Sequence, residues 1–252
     1  SQNRAAPIFP EYSIDWVIEE LDSFDTRTGD VFAISEETKE KLRNIHSFWK
    51  GKTHQEEVYA NMSDINLKAQ KQNVIHRGGI SMSGDGHIIP NHEVVLEKGF
   101  RGIQKDAETY LNNPAINDKQ REFYQAVIIA LDAAINFARR YADLADSMAM
   151  NEEDDVRRKE LVRISRINRR IVEGKAQSFH EALQIVYYCH LIMMIETNGH
   201  SFSFGRFDQY CYPYFKKDVD AGKLTYDEAL ELTALFFIKM NTLNKVRPWD
   251  HT

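Results

Sequence analysis

The run Ala182-Leu-Gln-Ile-Val-Tyr-Tyr-Cys-His-Leu-Ile-Met-Met-Ile195 is followed at once by Glu196-Thr-Asn-Gly-His-Ser-Phe-Ser-Phe-Gly-Arg-Phe-Asp-Gln-Tyr210. The first run is apolar on nearly every side of a helix, so it predicts a helix that is fully buried. We expect this helix to end at Asn198-Gly199. The residues after it carry polar side chains between phenylalanines: His200, Ser201, Ser203, Arg206 and Asp208. Apolar walls with a few oriented polar groups are typical of a small-molecule site.

Other apolar patterns predict a predominantly α-helical chain with few strands. Residues Lys119–Met150 repeat apolar side chains, among them Phe123, Ala134 and Tyr141, on one helix face. Residues Ala229–Leu243 are apolar nearly all round, like the first run. Thr53, Ser178 and Thr225 are each followed three residues later by Glu, which is the pattern of a helix N-terminal capping box. We therefore expect helices to begin at these positions.

Three segments differ from this pattern. Arg4–Glu11 contains two prolines, which predict extended backbone, and Gly78–Pro90 contains four glycines, which permit close backbone approach or a positive φ angle. Asn151–Glu173 is dense in arginine, which indicates either a basic patch or a solvated helix face with acidic partners. We favour the solvated face, because acidic residues are at hand: Glu152, Glu153, Asp154, Asp155 and Glu160.

Composition argues against several classes of protein. The 252 residues are 42% hydrophobic and carry a net charge of −6, so no basic surplus is available to neutralise nucleic-acid phosphates. Cys189 and Cys211 lie in apolar sequence without the even spacing of a disulfide scaffold, which predicts a reducing, cytoplasmic location and buried structural thiols. No uninterrupted apolar run reaches the length of about 18 residues that a membrane span needs, and no signal-peptide pattern is visible.

Two positions are candidates for substrate binding. His87 follows Gly84-Asp-Gly86, so its imidazole can approach a ligand closely and exchange a proton near neutral pH. His200-Ser201 follows a helix end and precedes apolar wall residues. The alternatives are a histidine that hydrogen-bonds a turn at His87 and a simple helix C-terminal cap at His200. The local sequence leaves these alternatives open.

Other chemistries find less support in the sequence. The nine histidines are scattered, with no helical i, i+4 pair around a glutamate and no Cys-x-x-Cys, so we expect no metal site. The sequence also lacks the glycine-rich phosphate-binding loop, the dinucleotide fingerprint and the Gly-x-Ser-x-Gly nucleophile turn.

Several motifs resemble those of one enzyme family. They are Arg4-Ala-Ala-Pro-Ile-Phe-Pro-Glu11, Gly86-His-Ile-Ile-Pro90 with Gly99-Phe-Arg-Gly-Ile103, Asn198-Gly-His-Ser-Phe-Ser-Phe-Gly-Arg-Phe-Asp-Gln-Tyr-Cys-Tyr-Pro213 and Arg247-Pro-Trp-Asp-His-Thr252. Over essentially its whole length the chain resembles the glycyl radical enzymes, in the pyruvate formate-lyase-like branch that includes glycerol and propanediol dehydratases. The resemblance implies an α/β fold, a ten-stranded barrel wrapped in helices with the active site inside.

The resemblance also implies roles for individual residues. His87, His200 and Ser201 match the side chains that hold substrate hydroxyl groups in the diol dehydratases, whereas Arg206 and Asp208 match structural positions, where we expect an internal ion pair. The radical-bearing glycine and the thiyl cysteine of the family have no counterpart here. The catalytic radical residues are therefore expected outside this chain.

These departures predict an incomplete subunit. We expect residues 1–252 to be part of a single pyruvate formate-lyase-type domain without an internal boundary, truncated at both ends and inactive alone. The full-length protein would carry a glycyl radical installed by a partner iron–sulfur enzyme that uses S-adenosylmethionine, would work in an anaerobic cytoplasm, and would form a homodimer. No cofactor is expected on this chain.

The expected reaction is dehydration, by C–O cleavage, of a small hydroxylated substrate such as a diol. Within the family the alternatives are C–C cleavage, as in formate acetyltransferase, and C–N or C–S cleavage. Outside enzymes, the alternative is a non-catalytic helical module that binds a partner through its apolar helices. Gly79 stands where relatives often carry a substrate-contacting side chain, so the resemblance leaves the substrate open.

Overall fold

The computed structural model describes residues 8–29, 31–75, 88–197, 199, 202–243 and 246–248. Within these ranges the chain forms α-helices joined by turns and loops and no β-strand, which confirms the prediction of a predominantly helical chain. The helices in chain order are α1 (Asp15–Glu20), α2 (Glu36–Trp49), α3 (His54–Ala60), α4 (Asp64–Lys71), α5 (His92–Leu111), α6 (Asp118–Met150), α7 (Asp155–Glu173), α8 (Phe179–Thr197), α9 (Phe207–Asp220) and α10 (Tyr226–Met240).

The chain divides into two compact units. Unit 1 comprises Ser1–Ile88, Met193–Ser203 and Asn241–Thr252, and unit 2 comprises Ile89–Ile192 and Phe204–Met240. Each unit is described by itself.

Unit 1 has a small core between α1 and α2 that also takes in a residue near the C-terminus. Its buried members are Val17, Leu21, Phe24, Leu42 and Val246. The guanidinium of Arg27 lies 4.5 Å from the centre of the Phe24 ring and donates a hydrogen bond of 2.9 Å to the carbonyl oxygen of Arg247. This cation–π contact and this hydrogen bond join the first part of the chain to residues 246–248.

The predicted capping boxes form at two of the three helix starts. The hydroxyl of Thr53 accepts from the N–H of Glu56 at 3.3 Å, and that carboxylate accepts from the N–H of Thr53 at 3.2 Å. Thr225 and Glu228 repeat the arrangement at 3.2 and 2.8 Å. At Ser178 the hydroxyl accepts at 3.2 Å from the N–H three residues later, but the glutamate there binds an arginine and a neighbouring N–H.

Unit 2 is built around the packing of α6 on α5 and α7. The buried side chains of α6 include alanines at three- and four-residue spacing: Ala134, Ala138, Ala142, Ala145 and Ala149. Small side chains in one row let a neighbouring helix come close, and the row continues the predicted amphipathic face. Phe123 and Tyr141, which we expected on that face, are exposed, so the prediction is wrong there.

The arginine-rich segment forms α7, and several of its arginines lie in ion pairs at the surface. Arg157 pairs with Glu160 at 2.7 Å, and Arg169 pairs with Asp143 and Asp146 of α6 at 2.6 and 2.7 Å. All of these side chains are well exposed to solvent. The interpretation of Asn151–Glu173 as a solvated helix face is therefore confirmed.

A contact between two glycines sets the path of the chain after α7. Gly99 interrupts α5 with a φ of 64° and a ψ of 174°, and a Cβ atom there would lie 2.5 Å from the carbonyl oxygen of Gly174. The N–H of Ala176 then donates to the carbonyl oxygen of Leu96 at 2.9 Å. A side chain at position 99 would block this backbone approach.

The two apolar helices differ in how far they are buried. In α8 most side chains from Phe179 to His190 are buried, as predicted, whereas Ile195 is exposed. In α10 only Ala229 and Phe236 are buried. The prediction that this second helix is buried on all sides is therefore wrong. Side chains at least half exposed lie along it: Tyr226, Leu230, Leu235, Phe237 and Ile238.

The helix α10 is exposed because few described residues pack against it. The described residues of unit 2 cover α10 on the side of Ala229 and Phe236 only, and they leave an apolar surface in water. Such a surface is typical of an interaction face. None of the described helices is both long and apolar enough to cross a membrane.

We predict that Gly99→Ala destabilises unit 2 strongly. Essentially only glycine occupies the φ,ψ region of residue 99, so alanine there is destabilised by roughly 1–3 kcal/mol. The clash of its Cβ atom with Gly174 destabilises the fold by roughly a further 1–3 kcal/mol. Gly222→Ala is the matched control, because Gly222 also has a φ of 64° but open space around it. Urea unfolding followed by circular dichroism should show the larger loss for Gly99→Ala. Equal losses would show that the glycine contact is unimportant.

We predict that the 252-residue chain self-associates when it is expressed alone, because the exposed apolar side chains of α10 are in water. Sedimentation velocity at increasing concentration should show oligomers. The double variant Leu230→Gln, Ile238→Gln should shift the distribution toward monomer, since both side chains are more than half exposed. A wild-type chain that stays monomeric and unfolds cooperatively would contradict the prediction.

Candidate functional site

All three predicted substrate residues, His87, His200 and Ser201, lie outside the described residues. The structure does describe residues adjacent to them: Ile88, Gly199, Phe202 and Ser203. Of these, Ile88, Gly199 and Ser203 make contacts within unit 1.

A backbone hydrogen bond joins the two parts of the chain that the sequence singles out. The N–H of Ser203 donates to the carbonyl oxygen of Ile88 at 3.1 Å. Ile88 directly follows His87, and Ser203 comes two residues after Ser201. Residues far apart in sequence are thus brought together in unit 1.

The end of α8 has its own hydrogen-bond donors. The hydroxyl of Thr197 donates to the carbonyl oxygen of Met193 at 2.8 Å, and the phenol of Tyr12 donates to the carbonyl oxygen of Glu196. The last carbonyls of a helix lack partners inside the helix, so these side chains stabilise its end. The terminal carbonyl group of Glu196 is therefore satisfied by a residue other than those of the predicted site.

Gly199 fixes how the chain leaves α8. It is buried, its φ is 33°, and a Cβ atom there would lie 2.7 Å from Cε and 2.9 Å from Cγ of Met194. Both the positive φ and the lack of space require glycine. The predicted helix end at Asn198-Gly199 agrees with the end of α8 at Thr197.

In unit 2 the segment after the site is packed into a ring cluster, which we define as His92, His190, Phe204 and Tyr210. The Phe204 ring stacks on His190 with centroids 4.7 Å apart and on His92 at 6.3 Å. The Tyr210 ring lies 5.2 Å from His92, and its hydroxyl donates to the carbonyl oxygen of Phe204 at 2.8 Å. Phe207 and Phe236 extend the cluster toward α10.

Both imidazoles of the ring cluster favour the neutral form. Burial lowers the pKa of His92 to about 4, with a further contribution from the charge of His190, and burial also lowers the pKa of His190. Burial raises the pKa of Tyr210. At neutral pH the cluster is therefore uncharged. No sequence pattern predicted a role for His92 or His190. The one available indication was that His92 lies close in sequence to His87, and His190 to His200.

Arg206 and Asp208 form the predicted ion pair, but not where we expected it. The guanidinium lies 2.9 Å from the carboxylate, which raises the pKa of Arg206 and lowers that of Asp208. The two side chains are 70% and 68% exposed, so the prediction of an internal pair is wrong. Asp208 lies in the first turn of α9, where a negative charge is favourable.

The cysteines have the properties of structural thiols. Cys189 and Cys211 are both buried and neither forms a disulfide bond, and burial raises their pKa values to about 11 and about 12. Thiolate formation is therefore unfavourable at neutral pH, which is the reverse of what a reactive cysteine needs. Within the described ranges, no three His, Cys, Asp or Glu side chains are grouped as a metal site requires.

Unit 2 also has a groove of about 480 Å³ between α7, α8 and α10. Arg163, His180, Tyr187 and Leu235 are among its lining residues. Burial lowers the pKa of His180 to about 4, helped by the charge of Arg163. The groove contains none of the predicted substrate residues.

Comparisons with known proteins agree on one family. The family model described as pyruvate formate lyase-like matches residues 1–252. A probable dehydratase from Escherichia coli, YbiW, is 37% identical over 100% of this chain and 32% of its own length. The (2S)-3-sulfopropanediol dehydratase of Klebsiella oxytoca is 32% identical over 97% of this chain and 31% of its own length.

A solved structure shows the same fold. The glycerol-bound form of the B12-independent glycerol dehydratase from Clostridium butyricum matches with a TM-score of 0.92 and 39% identity, over 99% of this chain and 32% of that one. The chain thus spans about a third of the length of the proteins it matches. The helices correspond to part of a glycyl radical enzyme barrel, as the resemblance implied.

We predict that Gly199→Ala loosens the end of α8. The added methyl group meets Met194, and left-handed backbone costs roughly 1–2 kcal/mol for other residues. Hydrogen exchange of the amides of residues 195–204 should become faster. Adding Met194→Ala to the variant should restore part of the protection, because it removes the atoms that clash. Unchanged exchange in the single variant would contradict the requirement for glycine.

Proposed function

The chain belongs to the pyruvate formate lyase-like family of glycyl radical enzymes, and on that premise we propose that it is part of a radical dehydratase. In this proposal it supplies the residues that hold the hydroxyl groups of a small substrate. The support comes from its relatives, since both curated proteins and the solved structure described above carry dehydratase names. Dehydration breaks a C–O bond, and the leaving hydroxyl takes a proton to become water.

His87, His200 and Ser201 are the residues proposed to bind the substrate. The observation that supports their convergence is the hydrogen bond between Ser203 and Ile88, because it ties the chain beside His87 to the chain after Ser201. Loss of water is easier when the leaving oxygen receives a hydrogen bond or proton from an acid and the other hydroxyl is held in a fixed orientation. Two imidazoles and a hydroxyl provide both functions.

The alternative that His200 and Ser201 only cap a helix has less support. Thr197 and Tyr12 already donate to carbonyl oxygens of the last turn of α8. Tyr12 thus serves the Glu196 carbonyl oxygen, which reduces the need for a cap from His200 or Ser201.

The family implies a glycyl radical, and we propose that its glycine and the hydrogen-abstracting cysteine lie in a part of the subunit outside these residues. Cys189 and Cys211 are poor candidates for that cysteine, because their flanking residues, Tyr188-Cys-His190 and Tyr210-Cys-Tyr212, lack the Gly-Cys-x-Glu motif of the family. We also propose activation by an iron–sulfur enzyme that uses S-adenosylmethionine, a homodimeric full-length protein and a cytoplasmic location. Residues 1–252 are proposed to belong to one domain, although they pack as two units.

Within the family, C–C, C–N or C–S cleavage is the second possibility. The two curated relatives described above carry dehydratase names, which favours C–O cleavage, although isethionate sulfite-lyases are also 30–31% identical to the chain. A glycyl radical enzyme is favoured over a non-catalytic helical module because the family model matches the whole chain. The substrate can be identified by anaerobic activation of the full-length protein with a panel of propane-1,2-diol, glycerol, hydroxyproline, choline and isethionate. We expect turnover of the two compounds with neighbouring hydroxyl groups, propane-1,2-diol and glycerol, and of no other compound in the panel.

We predict that His200→Ala in the full-length protein lowers kcat/KM for the diol at least a hundredfold, on the order of the loss of one general acid–base group. Electron paramagnetic resonance should show the same glycyl radical content as the wild type.

His46→Ala is the matched control. His46 lies on the surface of α2, 2.6 Å from Asp15, and it is far in sequence from both motifs. This variant should keep wild-type turnover. Unchanged turnover in His200→Ala would remove His200 from the site.

A further inference from the structure

His92 is a buried polar side chain without a polar contact. It is 2% exposed, and neither Nδ1 nor Nε2 has a hydrogen-bond partner among the described residues. Burying such nitrogens is unfavourable, so the residue must contribute something that offsets this cost. Hydrogen bonds to the described residues do not explain its place in the fold.

Ring packing gives the explanation. His92 is the first residue of α5, where the Asn91 side chain caps the helix by accepting from the N–H of Val94 at 3.3 Å. Its imidazole lies nearly parallel to the Phe204 ring, at an interplanar angle of 26°, and tilted by 38° to the Tyr210 ring. The position at a helix N-terminus, where positive charge is unfavourable, also suits a neutral ring.

His92 and its partner Phe204 each lie a few residues after one of the proposed substrate-binding segments. Phe204 comes three residues after Ser201, and His92 comes five residues after His87. The segment that follows His87 and the segment that follows Ser201 therefore each contribute a residue to the ring cluster of unit 2. Within residues 204–210, the Tyr210 hydroxyl donates a hydrogen bond to the carbonyl oxygen of Phe204.

We propose that His92 is a positioning residue whose flat ring, packed against Phe204 and Tyr210, anchors the two segments that adjoin the substrate residues. The ring is the required feature, and its nitrogens are dispensable. The effect on substrate binding rests on the proposed function, whereas the anchoring itself does not.

Hydrogen exchange in the full-length protein, without substrate, tests the anchoring. His92→Ala should speed exchange of the amides of residues 202–210 about tenfold, because a packed segment opens more often when its anchor is lost. His92→Phe keeps a flat ring and should stay within about twofold of the wild type. His180→Ala is the matched control, since His180 is largely buried in unit 2 but outside the ring cluster, and it should leave these amides unchanged.

Two results would overturn the proposal. Wild-type exchange in His92→Ala would show that the ring anchors nothing, and equally fast exchange in His92→Phe and His92→Ala would show that the nitrogens matter instead. If His92→Ala does not fold, His92→Leu takes its place, because it keeps apolar volume without a flat ring. The same increase in exchange is then expected, and its absence contradicts the anchoring.

Calorimetric binding of propane-1,2-diol to the radical-free protein separates this proposal from the proposed function. His92→Ala should weaken binding about tenfold while His92→Phe restores it, as expected when an anchor rather than a contact is lost. Binding to His92→Ala that matches the wild type would overturn the link to the substrate residues. A wild-type protein that binds no diol would instead refute the proposed function and leave the exchange result as the test of the anchor.

Discussion

The hydrogen bond from the N–H of Ser203 to the carbonyl oxygen of Ile88 is the interaction on which the proposed site depends. It joins two short segments of unit 1 that are separated in sequence by most of unit 2. Gly199, two residues beyond the end of α8, has a positive φ of 33° and no space for a side chain beside Met194. One glycine and one backbone contact thus link the two motifs.

Much of the fold could be predicted from the sequence, because helices and their ends follow from local patterns. The capping boxes at Thr53 and Thr225 and the end of α8 beside Gly199 are examples. Burial was predicted less well, since it depends on which neighbours are present. Leu230 on α10 has the same apolar pattern as buried side chains of α8, yet it is 69% exposed.

The candidate site was predicted in part. The motifs around His87 and His200 were visible as polar residues beside glycine, but the bond between their neighbours is a tertiary contact that no spacing reveals. The same holds for the ring cluster, where His92 and His190 are brought together across the fold by Phe204. The Arg206–Asp208 pair was expected from the resemblance to the family, and its exposure was not.

The most direct test is a crystal structure of the full-length protein with a bound diol. The account predicts that His87, His200 and Ser201 lie within about 2.7–3.2 Å of the substrate hydroxyl oxygens, as hydrogen bonds require. Side chains of His200 and Ser201 that point into bulk solvent, or that bind distant backbone with no cavity beside them, would contradict it.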